Sequence, residues 1–193
     1  MLETVIRAGK NIVDISYFLE DPFELDELAK EKGVTAVVDC GVAPGMSNII
    51  LGDHMRKMKV ADYACYVGGF PKSRKAPLGY KTDFPVLEVF EEYAAPGKYV
   101  ENGKVVEKPA LSETMTLDLP KVGTMACLAS DGLRTLIHTS ISEIPNMFEK
   151  TLRYPEHVDQ MRIFNDVGFF SETPIQVKGV SVRPIDVTAS VLT

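Results

Sequence analysis

Three short segments of the sequence combine residue types that could bind a ligand. The first, residues 41–48, is a Pro-Gly turn between an apolar run and a predicted helix. Backbone amides in the first turn of a helix have no intrahelical partners, and the helix dipole favours anions or carbonyl oxygens there. This turn is therefore a candidate binding site, and an ordinary strand-to-helix turn is the alternative interpretation.

The second segment places Gly68 and Gly69 at the end of a predicted strand, with Tyr80 and Lys81 further along the chain. Paired glycines allow a ligand or another backbone to approach closely. The phenol of Tyr80 could form hydrogen bonds, and Lys81 adds a positive charge. A β-bulge followed by a solvated loop would explain the same residues without a ligand.

The third segment is Arg153 followed by Tyr154. A guanidinium next to an aromatic ring is suited to two-point binding of a carboxylate. An ion pair between Arg153 and Glu149 or Glu156 is the structural alternative.

The histidines and cysteines do not have the spacing of a metal site. The sequence contains no HxxxH, HExxH or CxxC pattern, so we predict no metal, and we expect free thiols rather than disulfides. The residues around Ser47 lack the second glycine of a nucleophile elbow, which argues against a hydrolase. The residues concerned are His54, His138, His157, Cys40, Cys65 and Cys127.

Helices and strands alternate over the first 49 residues. Apolar periodicity and terminal glycines predict helix 2–8, strand 12–17, helix 23–32 and strand 34–38. This order is typical of a doubly wound α/β sheet. The GxGxxG pattern is absent, because no two of the 14 glycines are two positions apart. We therefore interpret residues 1–49 as the C-terminal remainder of a Rossmann domain, without the half that grips the cofactor.

The pattern changes after residue 49 to separate strands and helices. We predict helix 49–58, strand 63–67, helix 86–92, a hairpin at 99–106 around Asn102 and Gly103, strand 114–119, helix 161–167 and a strand pair in 175–182. Residues 133–138 and 148–152 fit either a helix or a strand, and no C-terminal element is evident. Residues 50–193 are thus predicted to form an α+β substrate-binding and dimerisation domain with a mixed sheet.

Composition excludes several classes of partner. The chain has 193 residues, of which 45% are hydrophobic and 25% charged, with a net charge of −6. Nucleic-acid binding requires a basic face, which this acidic chain does not offer. No apolar run approaches the roughly 20 residues that span a bilayer, and the N-terminus does not resemble a signal peptide. We expect a cytoplasmic protein that binds neither nucleic acid nor membrane.

Several motifs, taken in order, resemble the saccharopine dehydrogenase-like family, most closely its lysine 6-dehydrogenase branch. They are VDISY, AKEKGVTAVVDCGVAPGMSN, YVGGFP, PLGYK, SDGLRTL and LRYPEH, and they extend over nearly the whole chain. The resemblance implies a Rossmann domain followed by a substrate-binding domain that dimerises, with nicotinamide in the cleft between them.

The same resemblance implies roles for individual residues. Ser16, Tyr17, Pro44 and Gly45 would bind the cofactor, and Tyr17 and Lys81 are the catalytic candidates. Arg153 would hold the substrate carboxylate. The implied substrate-binding residues are Gly68, Gly69, Tyr80, Arg153 and Tyr154.

The implied function is NAD(P)-dependent hydride transfer at a CH–NH2 or CH–NH carbon of an amino acid such as lysine, by a homodimer. NAD or NADP would bind the complete enzyme; we expect this chain alone to be inactive and to bind the cofactor weakly or not at all. A carboxynorspermidine-type polyamine dehydrogenase is one alternative. A non-catalytic remnant that keeps the dimerisation sheet is another.

Three positions depart from the related proteins. Fungal saccharopine reductases resemble this chain at GGxP but carry an acidic residue in place of Ala43 and a cysteine in place of Val67. Both differences favour the lysine 6-dehydrogenase branch. Glu156 replaces the usual glycine after Arg-Tyr-Pro, and we expect its carboxylate to compete for Arg153.

Overall fold

The computed structural model describes residues 1–17, 20–75, 77–82 and 85–192. In chain order, its helices and strands are α1 Leu2–Arg7, β1 Ile12–Val13, a 3-10 helix Pro22–Leu25, α2 Asp26–Lys32, β2 Ala36–Val37, α3 Met46–Met55, β3 Asp62–Val67, α4 Val86–Ala94, β4 Gly97–Glu101, β5 Lys104–Lys108, β6 Met115–Leu119, β7 Gly123–Ala129, α5 Thr135–Ser140, β8 Asn146–Arg153, α6 Pro155–Asp166, β9 Ile175–Val177, β10 Val180–Val182 and α7 Pro184–Leu192.

The N-terminal segment has the predicted alternation of helices and strands. β1 and β2 pair in parallel, with Ile12 opposite Ala36 and Val13 opposite Val37. Both strands are shorter than predicted. β2 is followed closely by Asp39, whose positive φ of 53° takes the backbone out of the extended conformation. The parallel pair agrees with an α/β arrangement, while the Rossmann assignment and the domain boundary at residue 50 stay predictions.

A mixed six-stranded sheet forms the centre of the described structure. β8 is its central strand, since it pairs in parallel with β3 and antiparallel with both β4 and β7. β5 extends the sheet beyond β4, and β6 extends it beyond β7. The mixed sheet predicted from the sequence is confirmed. The two ambiguous segments are resolved as a helix at α5 and a strand at β8.

Two apolar clusters lie on the same face of this sheet. Side chains alternate along a strand, and Ala126 stands opposite Arg153, so Leu128, Ala126, Arg153 and Met147 all point to one face. The first cluster joins β7 to α4, α6 and α7. The second joins Met147 and β4 to α3 and α5. The side chains of β8 that lie on this face between Met147 and Arg153 point into the space between the two clusters.

Further differences from the sequence-based expectations concern β7, α6 and the C-terminus. β7 had no predicted counterpart. α6 begins at Pro155 rather than near residue 161, because proline with its fixed φ is favoured in the first turn of a helix. The chain also has a C-terminal element, α7, which buries Ile185 and Thr188. No helix within the described residues is long and apolar enough to cross a membrane.

Candidate functional site

A cleft of about 220 Å³ lies on the helix-covered face of the sheet, where β8 passes between the two apolar clusters. Its walls come from the turn before α3, the end of β3, helix α4, the loop after β7 and β8 itself. The lining residues are Tyr17, Ala43, Pro44, Val67, Gly68, Gly69, Glu88, Glu92, Ala95, Ser130, Asp131, Gly132, Glu149, Thr151 and Arg153.

The turn before α3 is closed by its own hydrogen bonds. The Met46 amide donates to the Gly41 carbonyl at 2.9 Å, and the Ser47 amide donates to the Val42 carbonyl at 3.1 Å. Gly45 has a φ of +143°, and a Cβ added there would lie 2.0 Å from the Gly41 oxygen. The expectation that these first-turn amides are free for an anion is therefore wrong for Met46 and Ser47. What the turn contributes to the cleft is the surface of Ala43 and Pro44.

The paired glycines at the end of β3 have different surroundings. A Cβ added to Gly68 would lie 2.6 Å from the Leu152 carbonyl oxygen, so this glycine lets β3 approach β8. A Cβ added to Gly69 would meet nothing within 4 Å. Gly68 thus admits a neighbouring backbone, while Gly69 leaves open space at the cleft.

Arg153 is buried and held by three groups. Its Nε donates to the Tyr93 hydroxyl at 2.7 Å, its Nη1 to the Leu152 carbonyl at 2.9 Å, and its Nη2 to Glu92 at 3.0 Å. Glu92 also accepts a hydrogen bond from the Thr151 hydroxyl. The ion-pair partner of Arg153 is therefore Glu92, rather than Glu149 or Glu156.

A hydrogen-bonded chain continues from Arg153 into α6. Burial, followed by the nearby Arg153 charge, lowers the pKa of His157 to about 4, so its ring is neutral. Its Nδ1 lies 3.1 Å from the Leu78 carbonyl oxygen, which can only accept, so Nδ1 carries the proton. Its Nε2 then accepts from the Tyr93 hydroxyl at 2.8 Å. Tyr80 packs beneath this series of hydrogen-bonded groups, and Arg153 Cζ lies 4.6 Å from the centroid of the Tyr80 ring.

Glu156 does not compete for Arg153, contrary to the sequence-based expectation. It is exposed and forms an ion pair with Arg74. Arg74 Cζ also lies 5.0 Å from the ring centroid of Tyr154, whose hydroxyl donates to the Pro71 carbonyl at 3.1 Å. Tyr154 and Glu156 thus hold the loop after β3.

Glu149 is a buried carboxyl group on the floor of the cleft. It is 3% exposed, and burial, with the Glu92 charge next, raises its pKa to about 8. The Cys65 thiol, whose own pKa burial raises to about 11, is hydrogen-bonded to it. A Cβ added to Gly132 would lie 1.5 Å from Glu149 Oε1, so the loop after β7 fits closely over this carboxyl group.

The same loop brings two further polar side chains into the cleft. Asp131 Oδ2 accepts from the Tyr17 hydroxyl at 3.4 Å and lies 3.6 Å from Arg134 Nη1. Burial, then the Asp131 charge, raises the pKa of Tyr17. Asp131 Oδ1 and the Ser130 hydroxyl are buried and have no hydrogen-bond partner among the described residues.

The structure brings together five of the predicted site residues: Tyr17, Pro44, Gly68, Gly69 and Arg153. Tyr80 contacts the cleft through Arg153. The remaining predicted residues, Ser16, Gly45, Lys81 and Tyr154, are not among those that line it. The roles assigned to all of these residues stay predictions.

Sequence reasoning missed the cleft residues Glu92, Ser130, Asp131 and Glu149. Asp131 lies in the SDGLRTL motif, which was a signal for that loop. Glu149 had no such signal, because it was hidden in a segment that fitted either a helix or a strand. Within the described residues, no group of three or more His, Cys, Asp or Glu is placed to hold a metal ion.

The chain belongs to the family of the saccharopine dehydrogenase C-terminal domain, which matches residues 41–193.

The regions that match particular relatives cover most of this chain but less than half of each relative's length. The chain is 28% identical over 183 residues to a saccharopine dehydrogenase [NADP(+), L-glutamate-forming] of Pyricularia oryzae, covering 89% of this chain and 41% of that protein. It is also 28% identical over 195 residues to an alpha-aminoadipic semialdehyde synthase of Arabidopsis thaliana, covering 94% of this chain and 18% of that protein.

A solved structure shares the fold. It is the apo saccharopine dehydrogenase (L-Glu forming) from Saccharomyces cerevisiae, with a TM-score of 0.62 and 22% sequence identity. The match covers 88% of this chain and 41% of the solved one. The predicted family is confirmed, while the lysine 6-dehydrogenase branch stays a prediction.

Proposed function

We propose that this chain supplies the substrate-binding part of an NAD(P)-dependent oxidoreductase that acts at a CH–NH2 or CH–NH carbon of an amino acid such as lysine. The observation that carries the proposal is the cleft itself. In a member of this family, one cleft joins a buried guanidinium, a buried carboxyl group and polar atoms that have no hydrogen-bond partner in the described part of the chain. Such a cleft can receive both ends of an amino acid.

Arg153 is the group that would hold the substrate carboxylate. Its guanidinium lines the cleft and is oriented by Tyr93, so it is already in place before a ligand arrives. A substrate carboxylate would bind in competition with Glu92, the present partner of Nη2. Orientation of the reacting carbon is what this arrangement contributes to the reaction.

Two small apolar side chains on the cleft wall support a lysine-type substrate over saccharopine. Ala43 and Val67, at the two positions where the resemblance implies a difference from the fungal saccharopine reductases, both line the cleft. A carboxylate and a thiol would make this wall polar, whereas the present residues keep it apolar. A carboxynorspermidine-type polyamine is the second candidate, since four carboxyl groups line the cleft against a single guanidinium.

One wall of the cleft supports the proposal that a nicotinamide ring binds there. Tyr17, Ala43 and Pro44 form a largely apolar wall, and Gly69 leaves open space beside it. The bound cofactor would supply the hydride acceptor, while these residues would shield the ring from water and orient it. The choice between NAD and NADP, and weak cofactor binding by this chain alone, stay predictions.

A homodimer is part of the same proposal. The face of the sheet opposite the cleft carries Tyr66 and Met115, which are 36% and 40% exposed. These apolar side chains support an interface between two copies on that face, which sedimentation equilibrium would test.

The test measures substrate binding to the purified chain by isothermal titration calorimetry, with L-lysine, saccharopine and carboxynorspermidine as ligands. We expect L-lysine to bind. We expect Arg153→Lys to weaken that binding about tenfold or more, because a lysine side chain at position 153 cannot reproduce the two-point contact of the guanidinium with the substrate carboxylate. Arg183→Lys is the matched control: Arg183 forms an exposed pair with Asp186. The proposal fails if none of the three ligands binds, or if Arg153→Lys binds L-lysine as the wild-type chain does.

A further inference from the structure

Glu149 has a position that a purely structural role does not explain. It lies on β8 on the same face as Thr151 and Arg153, it lines the cleft, and it is 3% exposed. Within the described residues it has no ion-pair partner, and the Cys65 thiol is its hydrogen-bonding neighbour. A carboxyl group without a cation in such a place is costly when ionised.

The loop after β7, which packs against Glu149, carries two polar atoms that line the same cleft and have no hydrogen-bond partner among the described residues. Gly132 packs directly against the Glu149 carboxyl group, and Ser130 and Asp131 immediately precede it. Ser130 is 4% exposed, and its hydroxyl has no partner in the part of the chain that the structure describes. The same holds for Asp131 Oδ1. A buried hydroxyl and a buried carboxylate oxygen without partners indicate that a hydrogen-bond donor belongs here.

The charges around the cleft indicate what kind of hydrogen-bond donor would bind there. Four carboxyl groups line it, those of Glu88, Glu92, Asp131 and Glu149, against the guanidinium of Arg153. Glu92 binds Arg153 and Thr151, and Asp131 Oδ2 lies 3.6 Å from Arg134 Nη1, so three ionised carboxylates and the Glu149 carboxyl group stand against two guanidinium groups. The remaining acceptors therefore stand in a region of surplus negative charge, which suits a cation with several N–H groups. A primary ammonium group has both the positive charge and the several N–H donors that these acceptors require.

We propose that Glu149 binds the ammonium group of an amine substrate, together with Ser130 and Asp131, and that Glu149 releases its own proton to solvent as the ion pair forms. This inference rests on the proposed function and assigns the end of the substrate that Arg153 does not hold. The carboxyl O–H bond breaks, the proton goes to water or buffer, and the ammonium group keeps its three protons. No electron is transferred in this step.

The neighbours of Glu149 explain why it is protonated before a ligand arrives. Burial raises its pKa to about 8, assisted by the charges of Glu92 on α4, Asp131 after β7 and Asp39 after β2. The Cys65 thiol and the Tyr63 phenol on β3 face it from the same side of the sheet, while the Tyr99 phenol on β4 lies on the opposite face and interacts with it only electrostatically. Arg153 is the cation further along the same face of β8. An ammonium group in contact would lower the pKa of Glu149 by its opposite charge.

This coupling gives the affinity a definite pH dependence. Below pH 8 a proton must leave for each ammonium bound, so the affinity for an amine rises up to about tenfold per pH unit. Above pH 8 the carboxyl group is already ionised, and the affinity levels off.

The experiment titrates the purified chain with L-lysine and with 1,5-diaminopentane at pH 7, in two buffers of different ionisation enthalpy. Calorimetry then counts the protons released. We expect about 0.9 proton per ligand, the fraction of Glu149 that is protonated one unit below its pKa. Glu149→Gln keeps the shape of the protonated side chain, and we expect it to release no proton and to bind at least tenfold more weakly. Glu107→Gln, on the exposed side of β5, is the matched control.

The outcomes separate this inference from the proposed function. Amine binding without proton release, or an unchanged pH dependence in Glu149→Gln, overturns the role of Glu149 and leaves the proposed function standing. If no ligand binds, both proposals fail. A measurement that needs no ligand is carbon-13 NMR of the glutamate carboxyl groups: titration of Glu149 near its ordinary pKa of 4.5 would overturn the inference by itself.

Discussion

The Tyr93 hydroxyl joins two buried groups that would otherwise be unsatisfied. It accepts a hydrogen bond from Arg153 Nε and donates one to His157 Nε2. A buried guanidinium is tolerated only when its donors are paired, and His157 is itself 2% exposed. This single oxygen atom therefore supports both the orientation of Arg153 and the attachment of α6 to α4.

We predict that Tyr93→Phe destabilises the protein by about 1–3 kcal/mol, because it leaves a buried donor and a buried acceptor without partners while keeping the ring. Urea denaturation would measure the change in the free energy of unfolding. The affinity for L-lysine should fall as well, since Arg153 loses the contact that orients it.

Tyr66→Phe is the control for this substitution. Tyr66 is on the opposite face of the sheet and is 36% exposed, with its ring against Phe148. Its substitution should change stability by less than about 0.5 kcal/mol, as for most surface positions. Equal effects of the two substitutions would mean that the hydroxyl of Tyr93 contributes no more than an exposed one.

At the scale of elements, the pairing of β3 with β8 depends on Gly68. Its Cα lies against the Leu152 backbone, and an added Cβ would be 2.6 Å from the Leu152 oxygen and 2.8 Å from the Leu152 Cβ. Neither neighbour can move without shifting β8, which carries Glu149 and Arg153. The end of β3 therefore sets the position of the floor of the cleft.

We predict that Gly68→Ala destabilises the protein by about 1–3 kcal/mol through this steric conflict. Gly69→Ala is the adjacent control: a Cβ there would meet nothing within 4 Å, so stability should stay nearly unchanged. Thermal denaturation of both variants would provide the comparison. A stable Gly68→Ala variant would show that β3 can separate from β8 at no cost.

Local chemistry decided which elements could be predicted from the sequence. The hairpin was predicted correctly because Asn102 and Gly103 favour the positive φ angles, 52° and 73°, that they adopt. β8 stayed ambiguous because Glu149, Thr151 and Arg153 place polar groups on its cleft-facing side, which disrupts the apolar pattern of a buried strand. Its conformation is determined by its three neighbouring strands, and these contacts are not visible in the sequence.

The site could be predicted only in part, because it too depends on contacts between elements that are distant in the sequence. Gly68, Gly69 and Arg153 stand out by residue type, and the structure places them in one cleft. Glu149 and Ser130 do not stand out. They meet because the loop after β7 folds over β8, and the raised pKa of Glu149 is a product of burial and of neighbouring carboxylates from three other elements.

At the scale of the whole molecule, the cleft lies between the two apolar clusters on the helix-covered face of the sheet. Ionisation of the groups buried there therefore affects folding as well as binding. Glu149 and His157 are buried groups with opposite behaviour. The pKa of Glu149 is raised from 4.5 to about 8, so the stability it contributes is present below pH 4.5 and is lost as the pH rises through 8. The pKa of His157 is lowered from 6.5 to about 4, so its contribution is present above pH 6.5 and is lost as the pH falls through 4.

The two contributions nearly cancel between pH 4.5 and 6.5, and of these two groups only Glu149 changes the stability above that range. We therefore predict that the free energy of unfolding falls by about 1–2 kcal/mol between pH 7 and pH 9, with a slope that approaches about 1.4 kcal/mol per pH unit below pH 8 and decreases towards zero above it. Glu149→Gln cannot ionise, so this variant should keep its stability over the same interval, while Glu107→Gln should behave as the wild-type chain does. Urea denaturation at pH 7, 8 and 9 would measure all three proteins. Parallel pH profiles for the wild-type chain and Glu149→Gln would mean that Glu149 is ionised at neutral pH, which would remove the physical basis for proton release on binding an amine.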